Sequence, residues 1–347
     1  MILPKISDLD ILNKRVVVRA DLDVDVTDKT TDIRLEVLVP TIKYLLDKNS
    51  KIILIGHRGR PEGKVDNKYS LKPISDVLSK LIGKEIKFVY DLAGVEAKTE
   101  SEKLQNGEVM MLENLRFDSR EEANDEGFAK SLASLGEIYI NEAFASSHRE
   151  HASIVGIPKL LPHAVGLHFE KEVENLSRVF ENPERPLVIL LSGVKKDKLD
   201  MIKPLSELAD KVLVGGRLPE YMGDDGLVSV RLQPETEKIV IGNLNQDKED
   251  ITLNTIDRFV KEVNEAKTIV LAGVLGKYEE EGHRQGTEKV FEAVANASAF
   301  KIVGGGDSLT AVSKYGLTDK FNWVSVGGGA MIEFLIKKTL VGIGPLV

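Results

Sequence analysis

Short apolar runs rich in β-branched residues alternate along this chain with segments whose apolar residues fall three to four apart. That alternation constrains the fold more than any other feature. Residues 15–18, 51–55, 86–90, 109–112 and 138–140 read as strands, and their nearly unbroken apolar character suits strands covered on both faces, as in a parallel sheet. Residues 39–47 and 71–82 carry the helical spacing of covering helices. A second series of strands follows at 187–191, 212–214, 239–241, 268–271, 301–303 and 323–326. Between the two series, 169–180 is apolar at 169, 173, 176 and 180 and is followed by Asn-Pro-Glu-Arg-Pro, as a helix ending at a domain boundary would be. At 347 residues the chain also exceeds what one hydrophobic core usually supports. The expectation is α/β: two Rossmann-like domains, each a parallel sheet flanked by helices, joined by a hinge helix.

Composition removes several function classes. A net charge of -8 disfavours nonspecific attraction to nucleic acid or anionic membrane. The absence of cysteine rules out disulfides, thiolate metal sites and a cysteine nucleophile. The charged N-terminal segment lacks a signal peptide's apolar run, and no stretch reaches the roughly 18 apolar residues of a membrane span. A cytoplasmic, monomeric protein with neither nucleic acid nor membrane as partner is expected.

The two halves then differ in chemistry. In the first, Arg19 and Asp21, His57 and Arg60, Arg116, and His148 with Arg149 lie near the carboxyl ends of strands. Loops at those ends line the ligand crevice of an open parallel sheet, so bases distant in sequence can converge on one anion. Guanidinium groups suit a phosphate or carboxylate because their planar donors engage two oxygens at once. In the second half, strands run into Ser192-Gly193, Gly215-Gly216, Ala272-Gly273, Gly304-Gly305-Gly306 and Gly327-Gly328-Gly329. Glycine lets backbone approach a ligand closely, and the N–H groups of such turns attract phosphate. Neither GxGxxG nor GxxxxGK[ST] occurs, so the nucleotide site implied is not of those kinds. Lys195 and Lys198 stand just past the first of these strand ends, where ammonium groups neutralise a phosphoryl group in transfer.

Taken in order, these segments resemble the phosphoglycerate kinase family over nearly the whole chain. The likeness rests on RADLDV at 19–24, DIRLEVLVPTI at 32–42, GHRGRPEG at 56–63, SLKP at 70–73, MLENLRF at 111–117 and NEAFASSHREHAS at 141–153. It continues in SGVKKDK at 192–198, AGVLGKYE at 272–279, GGGDS at 304–308 and VSVGGGA at 324–330. The resemblance implies reversible phosphoryl transfer between ATP and 3-phosphoglycerate. It implies a phosphoglycerate-binding domain at 1–167, an interdomain helix and hinge at 168–183, a nucleotide-binding domain at 184–334, and a tail at 335–347 returning to the first domain. Asp21, Asp23, Arg34, His57, Arg58, Gly59, Arg60, Arg116 and Arg149 fall at the acceptor site. Gly193, Lys195, Lys198, Gly215, Gly273, Glu279, Gly305, Gly306, Asp307 and Ser308 fall at the nucleotide site, with Glu279 on the ribose and Asp307 holding Mg2+ through the nucleotide. Arg34, Lys195 and Lys198 would stabilise the transferring group, and closure about the hinge would exclude water.

The chain departs from the family pattern at several points. Asp23 replaces an asparagine and Asp25 a proline, adding negative charge beside an anionic ligand, with Arg58 as the expected compensation. The two lysines stand one residue closer than usual. The segment after Gly216 is shortened, Ala272 and Val274 replace an asparagine and a proline, and Asn254 is the expected cap of the following helix. Two other readings compete. One is a noncatalytic relative that binds ligand without turnover. The other is a haloacid dehalogenase-like phosphotransferase with Asp21 as nucleophile and Gly223-Asp224-Asp225 downstream.

Overall fold

Consecutive apolar residues demand cover on both faces of a sheet. In the computed structural model of the chain, which describes residues 1–26, 32–222 and 237–347, they receive it twice. One unit comprises Met1–Val173 with Thr339–Val347, and the other Glu174–Lys338.

The first unit holds six parallel strands: β1 (Arg15–Arg19), β2 (Lys51–Ile55), β3 (Ile86–Val89), β4 (Val109–Leu112), β5 (Ile138–Asn141) and β6 (His163–Val165), in the order β3-β4-β2-β1-β5-β6. Val16, Val17, Val18 and Ile52 to Ile55 have no exposed surface. Helices α1 (Ile33–Asp47), α2 (Lys72–Ile82), α3 (Val95–Lys103), α4 (Ser119–Glu122) and α5 (Glu126–Ala133) connect the strands, and α6 (Leu167–Glu181) carries the chain onward. Leu35, Leu38, Ile42 and Leu45 of α1 pack into the same core as Ile74 and Leu78 of α2. Helix α1 begins six residues before the expected start at 39. Asp32 caps it by accepting from the Arg34 N–H at 2.9 Å, and Pro40 is tolerated inside because it lies on the exposed face, where water reaches the carbonyl it leaves unpaired. Strand β6 was not foreseen: it is three residues long, starts with His163 and follows Pro162.

The second unit repeats the plan with β7 (Leu187–Leu191), β8 (Lys211–Val214), β9 (Ile239–Ile241), β10 (Thr268–Ala272), β11 (Phe300–Gly304) and β12 (Trp323–Ser325), in the parallel order β12-β11-β10-β7-β8-β9. Helices α7 (Leu199–Leu208), α8 (Leu218–Tyr221), α9 (Leu253–Glu265), α10 (Gln285–Asn296), α11 (Gly306–Lys314) and α12 (Gly329–Lys337) join them. Thr252, not Asn254, caps α9: its Oγ1 accepts from the Thr255 N–H at 3.3 Å, and Asn254 falls within the helix. A threonine hydroxyl serves as a helix cap, which leaves Asn254 in the first turn. Both sheets therefore match the expected α/β class.

Strand order reverses direction once in each sheet, beside β1 and β5 in the first and between β7 and β10 in the second. Ligand crevices form beyond the carboxyl ends of strands at such switch points. Residues 339–347, which follow the whole second unit in sequence, complete the first: the Gly342 N–H donates to the Ser147 carbonyl at 2.8 Å, and Leu340, Ile343 and Leu346 are buried. A side chain at Gly342 would stand 2.6 Å from Ile154, so only glycine fits there. Among the described residues no helix is long and apolar enough to cross a membrane.

Candidate active site

The crevice of the first unit starts from a buried arginine. Arg19 is the last residue of β1 and has no exposed surface, so each of its donors must find a partner. Nε donates to Ser153 Oγ at 2.8 Å, Nη1 to the Ala20 carbonyl at 2.6 Å, and Nη2 to His57 Nδ1 at 2.8 Å. Because a guanidinium only donates, Nδ1 must be the bare nitrogen of His57, and Nε2 carries the hydrogen. That Nε2–H lies 4.0 Å from Asp23. Burial, followed by the field of Arg19, Arg116, Arg149 and His151, holds His57 well below the ordinary histidine range. His57 is thus a neutral donor. Behind it, Glu121 accepts from Ser153 twice, from N–H at 3.0 Å and from Oγ at 2.6 Å, and Tyr139 donates to the Ser153 carbonyl at 2.8 Å. Burial raises Glu121.

Two buried residues of the 111–117 segment shape the next loop. Asn114 accepts from the Arg58 and Arg116 N–H groups and donates to the carbonyls of Arg58 and Tyr69. Glu113 accepts from the Leu71 and Asn114 N–H groups and from Ser70. With the loop so held, Gly59 takes φ +61°, with the Tyr69 ring where a side chain would lie. Arg116, almost fully buried, donates to the Gly59 carbonyl at 2.8 Å, and its Nε stands 3.1 Å from Glu122. Burial and then Arg149 push Arg116 down to about 10, while burial and then Arg60 lower Arg149. Arg60 is exposed and has no hydrogen bond or ion pair among the described residues. Arg19, Arg60, Arg116 and Arg149 therefore repel one another, and an arriving anion would relieve the repulsion.

The remaining acceptor-side residues divide by task. Asp21 accepts from the Ala145 N–H at 2.8 Å and from Ser146 Oγ at 2.6 Å, which anchors the loop carrying Arg149. With both oxygens engaged, Asp21 is poorly placed as a nucleophile, and Gly223, Asp224 and Asp225 of that rival reading lie outside the described residues. Asp23 accepts from the Gly59 N–H at 2.7 Å, and the Asp23 carbonyl receives Arg34 Nη1. Of the two added acids, Arg58 pairs with Asp25 rather than with Asp23. It donates to the carbonyls of Val24, Lys68 and Ser70 and meets Asp25 at 3.5 Å, so it buckles the loop together.

In the second unit, Gly273 (φ +122°) leaves a gap that a side chain would close at 2.0 Å from the Ser192 carbonyl, which lets the ends of β7 and β10 meet. Beside them opens a cavity of about 260 Å³ lined by Gly193, Lys195, Lys198, Gly273, the 304–308 turn and Gly328. Lys198 Nζ donates to the Ser192 carbonyl, and burial lowers it, opposed by Asp307. Ser308 is buried and accepts from the Gly273 N–H at 2.8 Å, tying the turn after β10 to α11. Asp307 is exposed on the same lining. A second cavity of about 400 Å³ shares Gly193, Val194 and Asp307 and adds Gly216, Arg217, Lys248, Glu249 and Glu279. Gly215 packs on Leu275 and Gly216 lines the cavity in its place.

Among the described residues no three acidic or histidine side chains cluster as a metal cage. Two carboxylates, Asp197 and Asp307, on a cavity with phosphate-type lining instead fit Mg2+ held mainly by phosphate and water. Sequence reasoning named most of these residues but missed Glu121 and Ser153, Asn114 and Glu113, and Arg217 with Lys248 and Glu249. Their only signal was position inside or beside the motifs.

Mutually repelling cations at one parallel sheet and a glycine-lined cavity at another are the equipment of a kinase, a phosphotransferase built on two α/β units. The family model described as phosphoglycerate kinase matches residues 6–230 and 221–338. The phosphoglycerate kinase of Finegoldia magna is 37% identical, with 97% of each chain covered, and that of Dictyoglomus turgidum 38% identical over 98% of this chain and 97% of its own. Among solved structures, phosphoglycerate kinase from Coxiella burnetii aligns with TM-score 0.81 at 31% identity over 99% of both chains, and that from Pyrococcus horikoshii with 0.83 at 28% over 99% and 98%. The chain belongs to the phosphoglycerate kinase family. The Finegoldia alignment spans 385 positions against 347 residues here, so residues present in that relative are missing from this chain.

Proposed function

We propose that this chain catalyses reversible phosphoryl transfer between ATP and 3-phosphoglycerate, the acceptor atom being a carboxylate oxygen of the acid. The observation that carries this reading is the group of mutually repelling arginines, Arg19, Arg60, Arg116 and Arg149, faced by the neutral His57 N–H. It suits a small dianion. Arg60, Arg116 and Arg149 bind the acid, His57 donates to it, and Asp21 and Asp23 hold the loops that present them. Arg34, Lys195 and Lys198 neutralise charge on the phosphoryl group in flight. Glycine N–H groups at 193, 305 and 306 receive the nucleotide phosphates, Gly273 lets the backbone come close to them, Glu279 receives the ribose, and Asp307 would hold Mg2+ through the nucleotide. Bound Mg2+ would offset charge between the phosphates. No side chain forms a covalent intermediate, since an acyl phosphate and ADP need alignment and charge neutralisation more than proton chemistry. The 1–167 segment serves the acceptor and 184–334 the nucleotide, in a cytoplasmic monomer.

A coupled assay with ATP, Mg2+ and 3-phosphoglycerate tests the assignment. Turnover abolished by Arg34→Ala supports it. Tight binding of both ligands with no turnover would identify a binding protein instead.

A further inference from the structure

The second cavity of the nucleotide unit contains charge that phosphate, ribose and Mg2+ leave unused. Besides Asp307 and Glu279, assigned to Mg2+ and ribose, its lining carries Arg217, Lys248 and Glu249. Arg217 follows the glycine turn after β8, and its N–H donates to the Gly193 carbonyl at 3.0 Å, so its backbone is fixed against the strand end where the two cavities meet. Its guanidinium is also oriented. Nε and Nη2 donate to Glu220 Oε2 at 3.0 and 2.7 Å, and Lys248 holds the other Glu220 oxygen at 3.4 Å. This fork occupies one edge of the guanidinium plane. The edge formed by Nη1 and the remaining Nη2 hydrogen presents two parallel donors with no acceptor among the described residues.

We infer that this edge reads the nucleobase, and that the site takes a 6-oxopurine nucleotide, of guanine or hypoxanthine, in preference to adenine. The inference rests on the nucleotide site proposed above. Guanine and hypoxanthine present two adjacent acceptors, O6 and N7, that match a pair of parallel donors; adenine places a donor, its 6-amino group, opposite one of them. Both 6-oxopurines also carry an N1–H for which the Glu249 carboxylate is an acceptor, and adenine has no such hydrogen. Glu220 lowers the entropic cost of recognition because Arg217 is already aimed before the base arrives.

Calorimetric titration of the full chain with ADP, GDP and IDP in Mg2+ provides the test. GDP and IDP should bind about tenfold more tightly than ADP, the low end of discrimination by a bidentate arginine contact. Arg217→Ala should bring the three within about twofold of one another by weakening GDP and IDP alone, and Glu220→Gln should reduce the preference partway by freeing the guanidinium. ADP binding as tightly as GDP to the parent chain would overturn the inference, as would an unchanged ratio in a folded Arg217→Ala protein. These outcomes leave the kinase assignment standing if the coupled assay turns over. Failure of all three diphosphates to bind would remove the nucleotide site itself and both readings with it.

Discussion

Ser153→Ala removes one hydroxyl from the buried network around Arg19 and should destabilise the first unit out of proportion to its size. Ser153 Oγ accepts from Arg19 Nε at 2.8 Å and donates to Glu121 Oε1 at 2.6 Å, and neither charged partner has any exposed surface. Hydrogen bonds to charged groups contribute roughly 1.5–3 kcal/mol each, so the gross loss is about 3–6 kcal/mol. Glu121 keeps the Ser153 N–H, and Arg19 keeps Ala20 and His57, so the lower figure of about 3 kcal/mol is expected. Urea unfolding followed by far-UV circular dichroism measures it. The single tryptophan, Trp323, lies in the second unit, and its fluorescence in the same titration reports that unit separately. A loss below about 1 kcal/mol would refute the reasoning, for it would mean the buried charges do not depend on the hydroxyl between them.

Acid should weaken the same unit. His57 and His151 are both held below their unfolded value, His151 at about 3, chiefly by burial and then by Arg19. The unfolded chain therefore takes up protons below about 6.5 that the native state refuses, and stability falls as pH drops from there. His151 alone contributes a loss of about 2 kcal/mol at pH 5 relative to pH 8. Urea midpoints at the two pH values check this, and an equally steep dependence in His151→Gln would refute it. Gly273→Ala places a side chain 2.0 Å from the Ser192 carbonyl at φ +122° and should cost more than about 2 kcal/mol while removing stabilisation by added nucleotide; a thermal melt matching the parent's would contradict that. Asp23→Asn keeps an acceptor for the Gly59 N–H but removes a negative charge near His57, so the KM for 3-phosphoglycerate should fall by about threefold, and a rise would count against the account.

Strands announced themselves in the sequence because burial on both faces leaves no room for polar residues, as in β2 and β7. Where that pressure relaxes, the signal fades. Strand β6 is too short to show a pattern, and Pro40 hid the first two turns of α1 because linear sequence does not say which helical face meets water. The basic cluster of the first unit was legible for a related reason: cations just past apolar strand ends are conspicuous whether or not they end up buried. Its supporting parts were not. Ser153 and Glu121 resemble any helix-flanking polar residues until the fold brings them beside Arg19, 134 positions away from Ser153 in the chain. Likewise Arg217 reads as a surface arginine until Glu220 and Lys248 are seen to aim it.

Because residues 339–347 belong to the first unit, the second unit is an insertion within it. During synthesis the second unit has all its residues before the first does. The loop carrying His148 and Arg149 can be held by Asp21 early, but its bond from Gly342 to Ser147 forms only after the second unit has been synthesised. A ribosome stalled after residue 338 would leave the second unit able to mature while the first still lacked the buried side chains of Leu340, Ile343 and Leu346.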